Sequence, residues 1–171
     1  MDRRTFLAGI GASSVIGTAG CLGELSGPPP CPEYPRSGDG TVVCDGIGES
    51  AAVSLVSRSR TVPGDGGRIE FEFVNRSSTD VPFGPCFWTL YRVTRGTWSQ
   101  IRRIRGNAVG RILPAGSTIE LTVYTGTVDS TPAECGPYRV PALEPGRHLF
   151  GVQGGSPDGT PTLYLASFLV E

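Results

Sequence analysis

The chain's potential for chemistry rests on five cysteines, one histidine and one strand with paired carboxylates. The cysteines are Cys21, Cys31, Cys44, Cys86 and Cys135. A blue-copper centre needs two His, one Cys and usually an axial Met. Here the one histidine is His148, and the one methionine is Met1. A Ser–His–Asp arrangement would also have to run through His148. That residue sits on the apolar face of a predicted strand, where a hydrogen-bonded core histidine is the expected role. Glu70 and Glu72 lie two apart on one strand face. Two glycosidase carboxylates can sit close together, but a solvated strand face accounts for this pair. Four thiolates without C-x-x-C spacing make a poor zinc site. Gly64 to Gly67 precedes a strand, whereas phosphate loops open helices. The expectation is a non-catalytic protein with no metal and no cofactor.

The elements that place these residues begin with an address. Two arginines, Arg3 and Arg4, precede a short apolar run broken by Gly9, Gly11 and Gly17. The run is shorter than the roughly 20 apolar residues a bilayer requires. A charged start, a short apolar middle and a small-residue exit is the layout of an export peptide. Arg3-Arg4-Thr5-Phe6-Leu7 resembles the core of a twin-arginine export signal. Thr18-Ala19-Gly20-Cys21 resembles a lipobox. That resemblance implies lipidation of Cys21, which would become the new N-terminus. It also implies a protein held on the outer face of the cell membrane.

With Cys21 assigned to the anchor, four cysteines remain. An even number outside the cytoplasm favours disulfides. Three pairings are open, and Cys31–Cys44 with Cys86–Cys135 is the favoured one. The first closes a short loop, worth about 3 kcal/mol in the chain-entropy model.

Residues 22–48 are rich in Gly and Pro, including Gly27-Pro28-Pro29-Pro30. Proline favours an extended, semi-rigid spacer. The reading is an export peptide over residues 1–20, a lipidated Cys21 and tether over 21–48, and one domain over 49–171.

In that domain, short alternating segments recur between turn clusters, as in a β-sandwich. Ile69, Phe71 and Phe73 face inward from one strand, and Arg68, Glu70 and Glu72 face outward. Ile119, Leu121 and Val123 repeat the logic. One wet face and one buried face predict antiparallel sheets. Cys86, Trp88 and Leu90 are placed inward, which turns Phe87, Tyr91 and Val93 outward. Residues 98–105 alternate poorly, which predicts a bulge or an edge. His148, Phe150 and Val152 share a face, as do Ala166, Phe168 and Val170. The loop from Gly154 to Gly159 joins those last two strands as a hairpin.

About seven strands result, enough for an immunoglobulin-like antiparallel sandwich. The order of Asn75-Arg76-Ser77, Phe87-Trp88-Thr89-Leu90-Tyr91, Gly96-Thr97-Trp98, Leu113-Pro114-Ala115-Gly116 and Pro145-Gly146 is similar to that of immunoglobulin-like domains on prokaryotic surface lipoproteins. The resemblance implies a fold and hardly an activity. Every basic residue is Arg, a bias similar to that of haloarchaeal proteins.

Three surface features remain. An outward stripe of Phe87, Tyr91 and Val93 is a candidate partner surface. Arg102, Arg103 and Arg105, with Arg92, Arg95 and Arg111 nearby, form a candidate basic patch for lipid headgroups, acidic glycans or an acidic protein. Asn75-Arg76-Ser77 is a glycosylation sequon. A formal net charge of −1 argues against nucleic acid as a partner. The expected function is a binding or structural module of a membrane-anchored lipoprotein, with an unidentified protein or glycan partner. The alternative is a surface protease inhibitor acting through the loop over residues 125–141.

Overall fold

The computed structural model describes residues 31–33, 40–44, 51–105, 110–126 and 136–171, and every regular element among them is a β-strand. Seven strands match the expected ones. They are β2 (Val53–Ser57), β4 (Arg68–Asn75), β5 (Val81–Thr94), β6 (Thr97–Arg105), β8 (Thr118–Tyr124), β10 (Gly146–Gly155) and β11 (Pro161–Val170). Four short strands join them: β1 (Thr41–Cys44), β3 (Thr61–Val62), β7 (Arg111–Leu113) and β9 (Tyr138–Arg139). Two to four residues are too few to show a period, so these went unseen in the sequence.

The strands form two sheets. The larger runs β1-β11-β10-β5-β6, with β3 beside β11 and β7 beside β5. The smaller runs β2-β4-β8-β9. The main pairs are antiparallel, but β1 and β3 run parallel to β11, and β9 runs parallel to β8. The expectation of a wholly antiparallel sandwich is corrected to mixed sheets. The parallel pairs all involve short strands reached through connections rather than hairpins.

The alternation of β4 decides which face is buried. Ile69, Phe71 and Phe73 are fully buried. Arg68, Glu70 and Glu72 face outward and form ion pairs, Arg68 with Glu70 and Arg58 with Glu72 and Glu120. Across the sandwich Phe71 meets Phe150 at 4.9 Å between ring centroids, and Phe73 meets Tyr164 at 5.0 Å. Burying one such side chain contributes about 1.5–3 kcal/mol. The packed rings therefore hold the two sheets together.

Strand β5 changes phase partway along. Val81 and Phe83 point into the main core, and so do Trp88 and Leu90. Odd positions face in before the change and even positions after it. The register against β10 jumps from Gly84↔Gln153 to Trp88↔Val152, which marks a bulge over the residues between. Gly84 makes room for it, since a Cβ there would lie 2.4 Å from Cδ2 of Phe87. A second irregularity on β6 pairs Leu90 with Arg102 but Tyr91 with Gln100. Ile101 is the extra residue. Strand β6 is also the edge of its sheet, so residues 98–105 hold both the bulge and the edge expected of them.

The larger sheet is apolar on its second face too. Tyr91, Leu149, Leu163 and Leu165 are buried there with Cys44, and Cys31, Val42 and Trp98 pack against them. Part of the expected tether is therefore sheet. Residues Thr41–Cys44 are a strand paired with β11, and Cys31 is disulfide-bonded to Cys44 with the Cα atoms 6.2 Å apart.

Candidate ligand-binding cleft

An open cleft of about 410 Å³ lies at one end of the sandwich, lined by Arg92, Ile101, Arg102, His148 and residues 141–144. Three adjacent strands supply its polar wall. His148 on β10 is the direct cross-strand neighbour of Arg92 on β5. Arg102 on β6 pairs with Leu90, two residues from Arg92. Arg92 is in phase with the core-facing Trp88 and Leu90, and His148 with Phe150 and Val152. All three polar side chains thus stand on the inner face of the larger sheet. The opposite wall, residues 141–144, is pinned by a hydrogen bond from the Leu143 amide to the Gly64 carbonyl, 2.8 Å long. The buried Leu143 side chain holds it as well.

His148 is 0% exposed. Its Nδ1 lies 3.0 Å from the Gly146 carbonyl. A carbonyl only accepts, so Nδ1 carries the proton and Nε2 presents a lone pair. Nε2 has no partner. The ring stacks on Phe168, 5.4 Å between centroids with the planes 22° apart. Burial pushes the imidazole below its ordinary pKa of 6.5, and the Arg92 charge acts in the same direction. The Gly146 hydrogen bond and Glu144 oppose the shift without cancelling it. The ring is a neutral acceptor near neutral pH.

Arg92 ion-pairs with Glu144 through Nη1 and donates to the Pro145 carbonyl through Nη2 at 3.3 Å. Its Nε is buried and has no partner. The Arg102 guanidinium lies 5.8 Å from the centre of the Trp88 ring. It has no carboxylate partner among the described residues. The cleft lining thus combines Arg92 paired with Glu144, the Arg102 cation and apolar Ile101, Pro141, Ala142 and Leu143, while the unpartnered His148 Nε2 and Arg92 Nε are buried.

The expected surface features fare differently. Tyr91 is 5% exposed, buried in the cluster that Cys31, Val42 and Trp98 close over. Phe87 folds back over Gly84, and Val93 is half-buried opposite Trp98. The packing of β1 and of Trp98 thus removes Tyr91 from the expected partner surface and leaves Phe87 and Val93 half-buried. Arg102 and Arg103 pair with Leu90 and Thr89 and so point to opposite faces of the sheet. They do not form one patch, and the Arg105 side chain lies outside the described residues.

Asn75 is 1% exposed. Its Nδ2 donates to the carbonyls of Thr79, Leu113 and Pro114, and its Oδ1 accepts from the Ser77 amide. The nitrogen a glycan would need is committed inside the fold, so the glycosylation expectation is overturned. Cys86 is disulfide-bonded, as expected. Its expected partner Cys135 lies outside the described residues, as do Arg3, Arg4 and Cys21. The middle of the 125–141 loop is also outside them. At its ends Thr125, Tyr138 and Val140 are buried. Among the described residues no group of three or more His, Cys, Asp or Glu is placed to hold a metal.

His148 is the core histidine the sequence suggested. The cleft around it was not legible, because Arg92 follows Trp88 and Leu90 by plain alternation but the facing of Arg102 beside it depends on the bulge at Ile101. The aromatic-rich β5 carried no signal of where its phase would change.

No family model matches the chain, and no curated protein does. Among solved structures, an alkylpurine DNA glycosylase of Pseudomonas fluorescens bound to abasic-site DNA is similar over 74% of this chain and 32% of its own, at 16% identity and a TM-score of 0.35. A β-glucosidase of Listeria innocua in complex with laminaribiose is similar over 71% of this chain and 16% of its own, at 16% identity and a TM-score of 0.30. The chain spans a third or less of either neighbour's length. Likeness at this level says nothing about activity.

Proposed function

We propose that this chain is a membrane-anchored extracytoplasmic lipoprotein whose sandwich is a non-catalytic binding module. The observation that carries the reading is the Cys31–Cys44 disulfide. Such bonds persist in oxidising compartments outside the cytoplasm. That agrees with an export signal at Arg3 and Arg4 and with lipidation at Cys21. The disulfide also ties the segment after Cys21 to the domain edge through β1, which shortens the tether and holds the domain near the membrane. The cleft at His148 supports binding rather than catalysis. Its titratable lining is one buried neutral imidazole, two arginines and Glu144, whose carboxylate is committed to Arg92.

Two measurements test this. Cys21→Ser in cells should release the protein into the medium, and continued membrane retention would refute the anchor. Crosslinking on intact cells should capture a partner protein or glycan in stoichiometric amount. A chain that crosslinks to nothing would refute the binding module.

A further inference from the structure

We propose that the edge of the larger sheet formed by β6 and β7 takes an added strand, an extended segment of a partner protein in which Asp or Glu alternates with aliphatic residues. The inference rests on the reading of the domain as a binding module and names the partner's chemistry.

Strand β6 ends the strand order of its sheet. Strand β7 stands on the same side of β5, because Phe83 pairs with Arg111 of β7 on one side and with Gly154 of β10 on the other. The two therefore form one edge, and no described strand pairs with its outer side. An edge strand turns the N–H and C=O of every second residue outward, where another strand can pair with them. This edge is open: Thr97, Ser99, Gln100, Arg111 and Ile112 are exposed. Ile112 at 55% and Ile101 at 47% are the two most exposed large apolar side chains among the described residues. Strand β2 at the edge of the smaller sheet differs, with Val53 and Leu55 buried.

The charge on this edge is one-sided. The chain has 15 basic and 16 acidic residues, yet six Arg and no Asp or Glu fall between Val81 and Ile119, the stretch that contains β5, β6 and β7. Glu144 neutralises Arg92. Arg102 and Arg111 have no carboxylate partner among the described residues. The register puts both in the inward phase, Arg102 opposite Leu90 and Arg111 opposite Phe83. The other phase carries apolar side chains. Trp98 packs on the cluster of the second face, and Ile112 stands opposite Pro82. Arg103 shares that phase, close to Tyr91.

Uncompensated cations and apolar side chains thus alternate along one edge, with the period of two that a strand imposes. A membrane surface would meet one face of the sheet alone. An added strand meets both. Its carboxylates would stand beside Arg102 and Arg111, and its aliphatic residues beside Trp98 and Ile112. The spacing of Leu90 and Phe83 along β5 sets the two cations roughly 20 Å apart, within the span of an octapeptide. A second copy of this chain is disfavoured, since pairing this edge with itself would set Arg against Arg.

The test uses the purified full-length chain and a capped octapeptide that alternates glutamate with valine. The peptide should bind and slow amide exchange at least about tenfold within Thr97–Arg103, leaving β2 unchanged. A lysine–valine octapeptide should bind at least about tenfold more weakly. So should an octapeptide of the same composition with its glutamates grouped first. Arg111→Glu, at an exposed position, should weaken the glutamate peptide about tenfold and tighten the lysine peptide. Arg102→Glu should do the same. Should that variant fail to fold, Arg111→Glu decides the point.

Binding that leaves exchange in β6 unchanged would overturn the added strand. Equal binding of the grouped peptide would overturn the alternation. A polyglucuronate chain that binds more tightly than the peptide, and loses that binding in Arg111→Glu, would overturn the proposal in favour of an acidic glycan. Phosphatidylglycerol vesicles behaving in that way would overturn it in favour of a membrane. Absence of peptide binding would overturn the edge assignment, and a partner crosslinked on intact cells would then leave the binding module standing.

Discussion

The side-chain amide of Asn75, the last residue of β4, donates to the carbonyl of Leu113, the last residue of β7, at 3.1 Å. The first strand belongs to the smaller sheet and the second to the larger. One side chain therefore stitches the two sheets at a corner where no backbone ladder can. Asn75→Ala leaves the carbonyls it serves without that donor in a buried site. The expected cost is about 3 kcal/mol, read as a lower urea midpoint. Asn75→Asp should cost at least as much, because a carboxylate cannot donate. A loss below about 0.5 kcal/mol in the alanine variant would contradict the stitch.

The Cys31–Cys44 bond joins the start of the domain to its edge strand. Replacing both cysteines with serine should cost about 3 kcal/mol, from the chain-entropy model of a short loop. The effect should also be local. Amide exchange at Leu163 and Leu165, which pair with Val42 and Cys44, should rise more than at Phe71 in the smaller sheet. Uniform exchange across both sheets would mean that β1 is not held by the bond.

Gly151 lies under the second apolar face of the larger sheet. A Cβ there would come within 2.4 Å of Cδ2 of Leu165. Gly151→Val should therefore overpack that face and cost about 2 kcal/mol, seen as a lower thermal midpoint. An unchanged midpoint would show that Leu149, Leu163 and Leu165 are looser than their burial indicates.

The pH dependence of stability turns on His148. Its folded pKa lies below the ordinary 6.5, chiefly because burial disfavours the cation. As pH falls below 6.5 the unfolded chain takes up a proton that the folded chain refuses. The unfolded state is then favoured, and stability is lost as pH falls through that window. Arg92 on β5 reinforces the shift, and Glu144 opposes it. Asp158, held down to about 2 by hydrogen bonds from Ser156 and Thr160, acts only below its ordinary 3.8. Thermal midpoints between about pH 7 and pH 5 should therefore fall in the unaltered chain and stay nearly flat in His148→Phe. A parallel fall in both would assign the loss elsewhere.

Particular residues show how much was readable beforehand. Ile69, Phe71 and Phe73 announced β4 through a period of two, and Ile119, Leu121 and Val123 did the same for β8. A strand's side chains alternate by geometry alone, so those faces needed no knowledge of their neighbours. His148 could be placed in the core for the same reason. Tyr91 could not be placed. Its facing was expected correctly, but whether that face met solvent depended on β1, a four-residue strand inside a proline-rich stretch. Asn75 carried a sequon that reads the same whether its amide is free or buried.

The sequence by itself determined the all-β class and the seven longer strands, because each follows from residues close together in the chain, and it favoured Cys31–Cys44 among three open pairings. Only the tertiary structure decided the parallel edge pairs, the two bulges, the buried second face and the cleft where His148 meets Arg92 and Arg102. Those features depend on the register between strands far apart in sequence. A single-residue shift in register moves a side chain from one face to the other, and no local pattern records that choice.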